Sequence, residues 1–493
     1  MLGLDIGTSA VKAIAVDSAG QVSAAVSVPL SLDTPEPGWA EQQPDDWWQA
    51  SVAAIRQIVE RRPGAIEAIG VTGQMHSSVF LDRSGLVIRP ALLWCDGRTR
   101  SECLEIEQRI GGEDRLASLT GNPALEGFTL PKVLWLRHHE PAAFHRLATI
   151  LLPKDFVRYR LTGDLATEPS DASGTLMFDP AAGQWSAEVC AALGLAPSLL
   201  PNIGRSADIL GRVSSAAASV TGLRAGTPVV GGGADNACGA LGVGAIRPGQ
   251  VVASWGTSGT ILAPTSAPVV DPNLRVHTFC HVIPETWYLM GVVLSAGAAW
   301  SWYRDRFAPD LAGLADSDAR LTAEAATVPA GALGVTFLPY LQGERTPHRD
   351  TAARGGFFGL TLAHSRAHLS RAVLEGIAFA LKDSLELIRE LGGSPAEVLL
   401  TGGGAKSPFI RQLEAAIFGL PVRATNREEG PAYGAALLAA VGIGWYPDCA
   451  GAVSASVTHQ PALTAAPEEC RGYLDPYRRF RAGYQRSRWT PNA

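Results

Sequence analysis

The sequence has little charge and no excess of basic residues. Charged residues make up 18% of the 493-residue chain, and 41 Lys and Arg against 47 Asp and Glu give a net charge of −6. Soluble domains typically carry about 25% charged residues. Nucleic-acid-binding proteins present a basic surface that this balance does not supply. No run of about 18 uncharged apolar residues marks a membrane span. We therefore expect neither nucleic acid nor a membrane as a partner.

Cysteine is scarce as well. The seven cysteines are odd in number, and no two of them have the C-x-x-C spacing. This pattern argues against a zinc site, a redox dithiol or a disulfide framework. A signal peptide needs a basic region followed by an apolar one, whereas this N-terminus carries Asp5. These features predict a cytoplasmic protein.

The two common nucleotide-binding motifs are also missing. The sequence contains no G-x-x-x-x-G-K-[ST] and no strand-linked G-x-G-x-x-G, so neither a P-loop nor a Rossmann site is supported. The chain is instead rich in glycine, with 53 residues, and strand-like stretches alternate with helix-like ones. Strands at residues 2–6 and 11–16 flank a short turn, and a helix is predicted over residues 45–61. This alternation predicts an α/β protein.

An internal repeat gives the domain organisation. Gly7-Thr8-Ser9 follows a short apolar strand, and Gly256-Thr257-Ser258 follows another about half a chain later. A second pair of similar segments, residues 229–244 and 430–442, places glycine-rich sequence before small-residue helices. Two pairs of similar segments in the same order predict a duplicated α/β domain with a cleft between the halves. We place the domains at residues 1–245 and 246–493. The stretch after about residue 446 is expected to be irregular and to end in a basic, aromatic helix at residues 473–489.

The two Gly-Thr-Ser turns are candidates for phosphate binding. Tight turns of small residues let backbone N–H groups reach a phosphate, and the hydroxyls of Thr8, Ser9, Thr257 and Ser258 add donors. Lys12 would add a cation. The alternative is that both are ordinary hairpin turns and that Lys12 is an exposed hairpin lysine.

Two carboxylates stand at strand ends. Asp5 precedes the first turn, where it would hold Mg²⁺ directly or through water, or else cap the turn. Asp235 follows three glycines and opens a helix, a place from which it would accept a hydroxyl proton during phosphoryl transfer. Its alternative is a helix N-cap.

Three further segments each allow a functional and a structural interpretation. Met75-His76 ends a strand at a glycine turn and would contact a ligand or be structural. Gly402-Gly403-Gly404 would pack against a nucleotide or form a bare turn. Residues 343–348, GERTPH, would form a functional loop or a buried salt-bridge support.

Taken together, these segments resemble the FGGY carbohydrate kinases. The resemblance runs from residue 2 to about residue 477. Its motifs are GLDIGTS at residues 3–9, WAEQ at 39–42, GQMH at 73–76, WCDGR at 94–98, GFTLPKVLW at 127–135, LPKD at 152–155, SDASGT at 170–175, GADN at 233–236, GERTPH at 343–348 and the G-x-F-x-G-L run at 355–360.

The resemblance implies a fold, a reaction and a set of residues. The fold would be two actin-like, ribonuclease H-like domains that close on ATP, Mg²⁺ and a sugar. Asp235 matches the catalytic base, and Asp5 the acid associated with Mg²⁺, which both carboxylates would hold through water. Met75, His76, Asp235 and Asn236 match the sugar contacts. The phosphate and nucleotide positions match Thr8, Ser9, Lys12, Gly256, Thr257, Ser258, Gly402, Gly403 and Gly404.

Within the family, Met75-His76 favours D-xylulose, phosphorylated on its C5 hydroxyl. Ser77-Ser78 departs from the expected small pair and is predicted to border the sugar pocket. Ribulose, a pentitol or glycerol are alternative acceptors. An actin-like protein that uses nucleotide to regulate binding is the alternative from another class, and a homodimer is the candidate assembly state.

Overall fold

A mixed sheet built on a β-hairpin forms the core of the N-terminal half. The computed structural model describes residues 1–61, 66–311, 313–425 and 429–487. Strand Leu2–Ile6 pairs antiparallel with Ala10–Val16 and parallel with Ile69–Gly73. Across the sheet the order is Ile209–Arg212, Pro228–Val230, Ile69–Gly73, Leu2–Ile6, Ala10–Val16 and Val22–Pro29, and Gly233–Ala234 also pairs with Ile69–Gly73. The predicted hairpin is confirmed, with a third antiparallel strand at Val22–Pro29 that the sequence patterns had not indicated.

The C-terminal half repeats this arrangement. Its sheet runs His277–Cys280, Trp287–Val293, Gly259–Thr265, Gln250–Trp255, Glu397–Gly402 and Val422–Ala424. Here too a hairpin with a turn of sequence Gly-Thr-Ser is extended antiparallel on one side and parallel on the other. The duplicated, actin-like α/β architecture predicted from the sequence is therefore confirmed.

Helices cover the two sheets and connect the halves. The α-helices are Pro44–Arg61, Arg100–Ile110, Glu113–Thr120, Thr129–His139, Pro141–Arg146, Pro153–Thr162, Pro169–Ala172, Ala187–Leu193, Ser215–Thr221, Asp235–Gly242, Gly297–Phe307, Ser317–Ala326, Arg366–Glu390, Pro408–Phe418, Pro431–Gly442, Cys449–Ser456, Pro467–Gly472 and Leu474–Ser487. Short strand pairs are Glu41–Gln42 with Ala91–Leu92, Val79–Leu81 with Thr149–Leu151, Ala166–Thr167 with Asn202–Ile203, Phe178–Asp179 with Gln184–Trp185, and Thr336–Leu338 with Gly356–Phe358. In the part of the chain described, no helix is both long and apolar enough to span a bilayer.

One helix of the C-terminal half packs on the sheet of the N-terminal half. Helix Pro431–Gly442 lies so close to that sheet that a Cβ on Gly70 would stand 1.9 Å from the carbonyl oxygen of Ala435. The same helix crosses Asp235–Gly242, where a Cβ on Gly434 would lie 1.9 Å from the carbonyl oxygen of Cys238. Real atoms do not approach this closely, so the glycines are required by the packing. The two predicted small-residue segments thus meet each other at the junction between the halves.

Gly434→Ala is expected to lower the free energy of unfolding by about 1–3 kcal/mol, because the added methyl group overlaps a backbone carbonyl that side-chain rotation cannot move aside. The measurement is urea unfolding followed by tryptophan fluorescence. Gly239→Ala is the matched control, since a Cβ there meets only Pro431 at an ordinary 3.7 Å. The control should be unchanged or more stable, by up to about 1 kcal/mol, because alanine favours the helix over glycine. Equal effects at both positions would contradict the proposed close crossing.

The C-terminal segment differs from the sequence prediction. Residues after about 446 are expected to be irregular apart from a helix at 473–489, yet helices also form at Cys449–Ser456 and Pro467–Gly472. Asp448 caps the first of these by accepting a hydrogen bond from the N–H of Gly451 at 2.7 Å. The predicted last helix is present as Leu474–Ser487 and buries Phe480; Trp489 lies outside the described residues.

Candidate active site

Asp5 and Asp235 come together at one edge of the N-terminal sheet. Ile6 pairs with Gly73, which pairs in turn with Ala234, so the three parallel strands end side by side. Asp235 is the first residue of the helix that follows, and Ala234 occupies the N-cap position. The sequence therefore places both carboxylates at strand ends, and the parallel register makes them neighbours.

Burial alters the acidity of both groups. Burial raises the pKa of Asp235 to about 6, and the backbone N–H and the side chain of Asn236 partly oppose this rise. These two groups donate to Asp235 Oδ1 at 2.7 and 3.0 Å. The pKa of Asp5 is raised to about 7 by burial and by the charge of Asp235, and Lys12, its partner across the hairpin, opposes the shift. Asp235 is thus mostly ionised at neutral pH, but it is a stronger base than an exposed aspartate.

A cleft of about 250 Å³ opens beside Asp235, between the halves. The N-terminal half lines it with Met75, His76, Trp94, Leu125, Gly127, Phe128, Asp235 and Asn236, and the C-terminal half with Ser254, Gly256, Ser258, Thr260, Met290, Val292 and Arg345. The amide of Asn236 lies 3.8 Å from the sulfur of Met75. The structure therefore brings together all of the residues predicted to contact a sugar.

His76 is held by a backbone hydrogen bond and also lines the cleft. Its φ is +67°, and its Nδ1 lies 2.6 Å from the carbonyl oxygen of Gly174. A carbonyl can only accept, so Nδ1 carries the proton and Nε2 is left as an acceptor. Burial lowers the pKa of this imidazole to about 3, which keeps it neutral. Phe128 packs against the ring, with centroids 4.5 Å apart.

Ser77 and Ser78 do not border the cleft as predicted. The positive φ of His76 reverses the chain, and both serines are fully buried. The Ser77 hydroxyl donates to Gln74 Oε1 and accepts from the N–H of Trp94, both at 3.0 Å. Ser77 therefore supports residues behind the cleft wall, and the two serines give no reason to doubt a sugar in it.

The first Gly-Thr-Ser turn lies next to this cleft. Thr8 Oγ1 accepts from the indole Nε1 of Trp94 at 3.0 Å and donates to Gln74 Oε1 at 3.3 Å. Gln42 binds the carbonyl oxygen of Thr8 at 2.7 Å. Ser9 is exposed at the tip of the turn. Buried amide side chains thus fix the turn from below and leave its tip open.

The second turn separates the cleft from a larger cavity. Gly256 lines both, and Gly256, Thr257, Gly403 and Gly404 line the larger one, which measures about 1080 Å³. The carbonyl oxygen of Thr257 accepts from the N–H groups of Ala296 and Ala298 at 3.1 and 3.0 Å. Gly402 has a φ of +78°, and its close neighbour is the backbone of Trp255. The predicted nucleotide loop therefore faces a cavity of suitable size next to the second turn.

Two features of the cleft wall are not indicated by the sequence patterns. Trp94 and Phe128 supply its apolar surface, and only their positions inside family motifs could have indicated this. Arg345 belongs to the segment GERTPH, whose polar residues alone do not distinguish a functional loop from a salt-bridge support.

Comparison with known proteins agrees with this geometry. The N-terminal domain of the FGGY family of carbohydrate kinases matches residues 1–242, and the C-terminal domain matches residues 251–443. A xylulose kinase of Bacillus subtilis is 42% identical over 449 residues, which are 90% of this chain and 89% of the relative. The crystal structure of a xylulose kinase from Rhodospirillum rubrum superposes with a TM-score of 0.90 at 33% identity, covering 98% of each chain. A structure described as a gluconate kinase from Lactobacillus acidophilus gives a TM-score of 0.92 at 28% identity, covering 98% of this chain and 99% of that one. With both domain models matched in order and the cleft between them formed, this chain belongs to the FGGY family of carbohydrate kinases.

Proposed function

We propose that this protein transfers the γ-phosphoryl group of ATP to the C5 hydroxyl of D-xylulose, giving D-xylulose 5-phosphate and ADP. The observation that carries the proposal is Asp235, a half-buried carboxylate of raised pKa in the cleft that Met75, His76 and Asn236 also line. Pockets for drug-sized ligands measure roughly 300–1,000 Å³, so a cleft of about 250 Å³ suits a five-carbon sugar. The similarity to the Bacillus subtilis xylulose kinase supports the same acceptor.

Asp235 acts as the general base. Its carboxylate takes the proton of the C5 hydroxyl, and the oxygen attacks the γ-phosphorus in line as the bond to ADP breaks. Asn236 holds Asp235 Oδ1 through two hydrogen bonds, which orients the other carboxylate oxygen toward the sugar. The neutral His76 accepts a hydrogen bond from a sugar hydroxyl at Nε2. Closure of the halves excludes water, which would otherwise compete as acceptor.

The nucleotide binds across the second turn. Its base and ribose occupy the larger cavity beside Gly403 and Gly404, and its phosphates pass Gly256, Thr257 and Ser258 toward the cleft. Thr8, Ser9 and Lys12 face the phosphates from the other half. Turn backbones of this kind bind phosphate through their N–H groups.

The carboxylates fit a Mg²⁺ ion held through water. Within the described residues, no hydrogen bond or ion pair engages the carboxylate of Asp5, and burial, followed by the charge of Asp235, raises its pKa. Mg²⁺ usually keeps several waters and binds one or two carboxylates together with substrate phosphates. When bound, the ion would neutralise charge on the phosphates, with Asp5 and Asp235 as its protein partners.

Three further proposals accompany this function. The sugar-binding half is residues 1–245, and the half with the second phosphate turn is residues 246–493. The protein acts in the cytoplasm. It assembles as a homodimer, which gel filtration with light scattering would test directly.

The test of the proposed function is ADP release from Mg-ATP with a panel of acceptors. The panel contains D-xylulose, D-ribulose, L-ribulose, D-fructose, D-gluconate, xylitol and glycerol. A kcat/KM for D-xylulose at least tenfold above every other acceptor is the expected result. A preference for gluconate or another polyol would keep the family and overturn the acceptor. Slow ATP hydrolysis that no acceptor stimulates would instead favour the nucleotide-regulated binding protein.

The pH dependence of the reaction follows from Asp235. Only the ionised carboxylate accepts a proton, so activity is lost as the pH falls through a pKa of about 6. We expect kcat/KM for D-xylulose to drop about tenfold per pH unit below that value, because this constant reports the free enzyme. Tryptophan fluorescence at each pH shows whether the protein stays folded. A flat profile down to pH 5 in folded protein would contradict the assignment.

A further inference from the structure

The segment GERTPH at residues 343–348 is fixed onto the wall of the cleft. The N–H of Thr346 donates to the carbonyl oxygen of Val292 at 3.0 Å, and Thr346 Oγ1 accepts from the N–H of Val292 at 3.0 Å. The same hydroxyl donates to the carbonyl oxygen of Arg275 at 2.8 Å. Val292 and Met290 belong to strand Trp287–Val293 and line the cleft together with Arg345. The backbone on one side of Arg345 is therefore held rigidly at the cleft.

The guanidinium group of Arg345 has no protein partner among the described residues. No hydrogen bond or ion pair of its side chain is formed there, and burial lowers its pKa. Glu126 acts on it only at long range and pairs instead with Arg100, at 3.1 Å. The neighbouring Glu344 uses Oε1 to accept from the N–H groups of Leu294 and Arg345 at 3.0 and 2.8 Å. Arg345 is thus a half-buried cation with no direct protein partner among the described residues, on which Glu126 and Glu344 act only through space, and it lines the cleft.

Other buried arginines in the described part of the chain have direct protein partners, although Nε of Arg158 has none. Arg98 binds Asp96 and Glu41, both at 2.6 Å, and Arg158 donates to three backbone carbonyl oxygens. A buried guanidinium without partners costs free energy, so such a group usually has a ligand. The contrast indicates that the partner of Arg345 is a molecule bound in the cleft.

Arg345 shares the cleft with His76 and Asp235. Its charge adds to the effect of burial, which lowers the pKa of His76. A sugar whose C5 hydroxyl meets Asp235 would leave C1 and C2 to the other polar groups of the cleft, among them His76 and Arg345.

We propose that Arg345 donates hydrogen bonds to the C2 carbonyl oxygen and the C1 hydroxyl of the acceptor ketose, and so helps to select ketoses. This inference rests on the proposed function. A ketose end offers a carbonyl that only accepts and a hydroxyl that can donate. Arg345 supplies donors alone, and His76 Nε2 supplies an acceptor, so the pair is complementary to that end. Because Arg345 comes from the C-terminal half, the sugar also joins the two halves.

The experiment compares Arg345→Gln with the wild type for D-xylulose, 1-deoxy-D-xylulose and xylitol, as substrates or as competitive inhibitors. A lost hydrogen bond from a charged group should raise KM for D-xylulose about 10- to 100-fold. KM for ATP should change less than about twofold. Binding of xylitol, which lacks the carbonyl, and of 1-deoxy-D-xylulose, which lacks the C1 hydroxyl, should weaken markedly less. If the affinity for all three acceptors fell by the same factor, or if only the affinity for ATP fell, the proposal would be overturned.

Two controls separate this result from other failures. Arg349→Gln, in the same loop, removes an exposed arginine that pairs with Glu113, and its KM values should match the wild type. Arg345→Lys, which keeps the charge but loses the forked donors, should recover only part of the D-xylulose affinity. A folded Arg345→Gln variant with unchanged KM for D-xylulose overturns the Arg345 assignment alone. A wild type that does not phosphorylate D-xylulose overturns the function itself.

Discussion

Replacing Asp235 with asparagine is expected to lower kcat by about 10²- to 10⁴-fold, the usual contribution of a general base. The amide keeps the size of the carboxylate and can still meet Asn236, but it cannot take the proton of the sugar hydroxyl. Since Asp235 does not line the larger cavity, ATP should bind with little change. The measurements are ADP release at saturating D-xylulose and ATP affinity by calorimetry.

The matched control is Asp475→Asn, which changes an exposed aspartate whose partner is Arg478. This variant should keep the wild-type kcat. If Asp235→Asn retained a kcat near that of the wild type, another group would have to be the base. Asp5 would be the first to examine, because its pKa is raised to about 7 and Asp235 is its neighbour.

The second large effect is expected on stability, from Lys154→Met. Lys154 is fully buried, with Nζ 2.6 Å from Asp155 Oδ1 and 3.5 Å from both Glu168 Oε1 and Asp171 Oδ2. These carboxylates outweigh burial and raise the pKa of the ammonium group. Its removal leaves three buried acids without the ammonium group that they share, and breaking a buried pair in this way typically costs about 3–5 kcal/mol. Urea unfolding followed by tryptophan fluorescence measures the loss.

The double variant Lys154→Met with Asp155→Leu tests the cause. If uncompensated charge is responsible, removing one acid should restore part of the stability, whereas a packing defect would grow worse. Ser170 links this cluster to the active site: its hydroxyl donates to Glu168 at 2.8 Å and accepts from the N–H of Ala234 at 2.9 Å. Lys154→Met should therefore also reduce kcat, through the residue that precedes Asp235.

The sequence was sufficient for the framework of the fold. Hairpins flanking Gly-Thr-Ser, repeated half a chain apart, predicted the two sheets because turn chemistry and strand periodicity are local properties. Strand Val22–Pro29 was missed because it lies at the sheet edge and is mostly half-exposed, which leaves no clear apolar pattern. The two short C-terminal helices were missed because they are only six to eight residues long and bury few or no side chains, which leaves no apolar periodicity.

Site residues could be predicted where the residue type and its neighbours in sequence indicate the chemistry. They could not be predicted where contacts with residues distant in sequence determine the role. Asp5 and Asp235 stood out because strand ends and glycines surround them. The direction in which Ser77 points depends on the positive φ of His76, which no local pattern specified. Arg345 belongs to the cleft because contacts with Val292 and Arg275 hold its loop there, and those residues are distant in sequence.

The helix Pro431–Gly442 has a consequence for any attempt to divide this protein. Its backbone touches Gly3 and Gly70 of the first sheet. A helix from the last quarter of the chain therefore covers strands that are synthesised first. A fragment ending at residue 245 would display bare glycine backbone and apolar strands to solvent. During synthesis, the N-terminal sheet stays uncovered on that face until the ribosome has passed residue 442. We therefore expect neither half to fold alone, and complementation by separate fragments would require both halves to fold around this one helix.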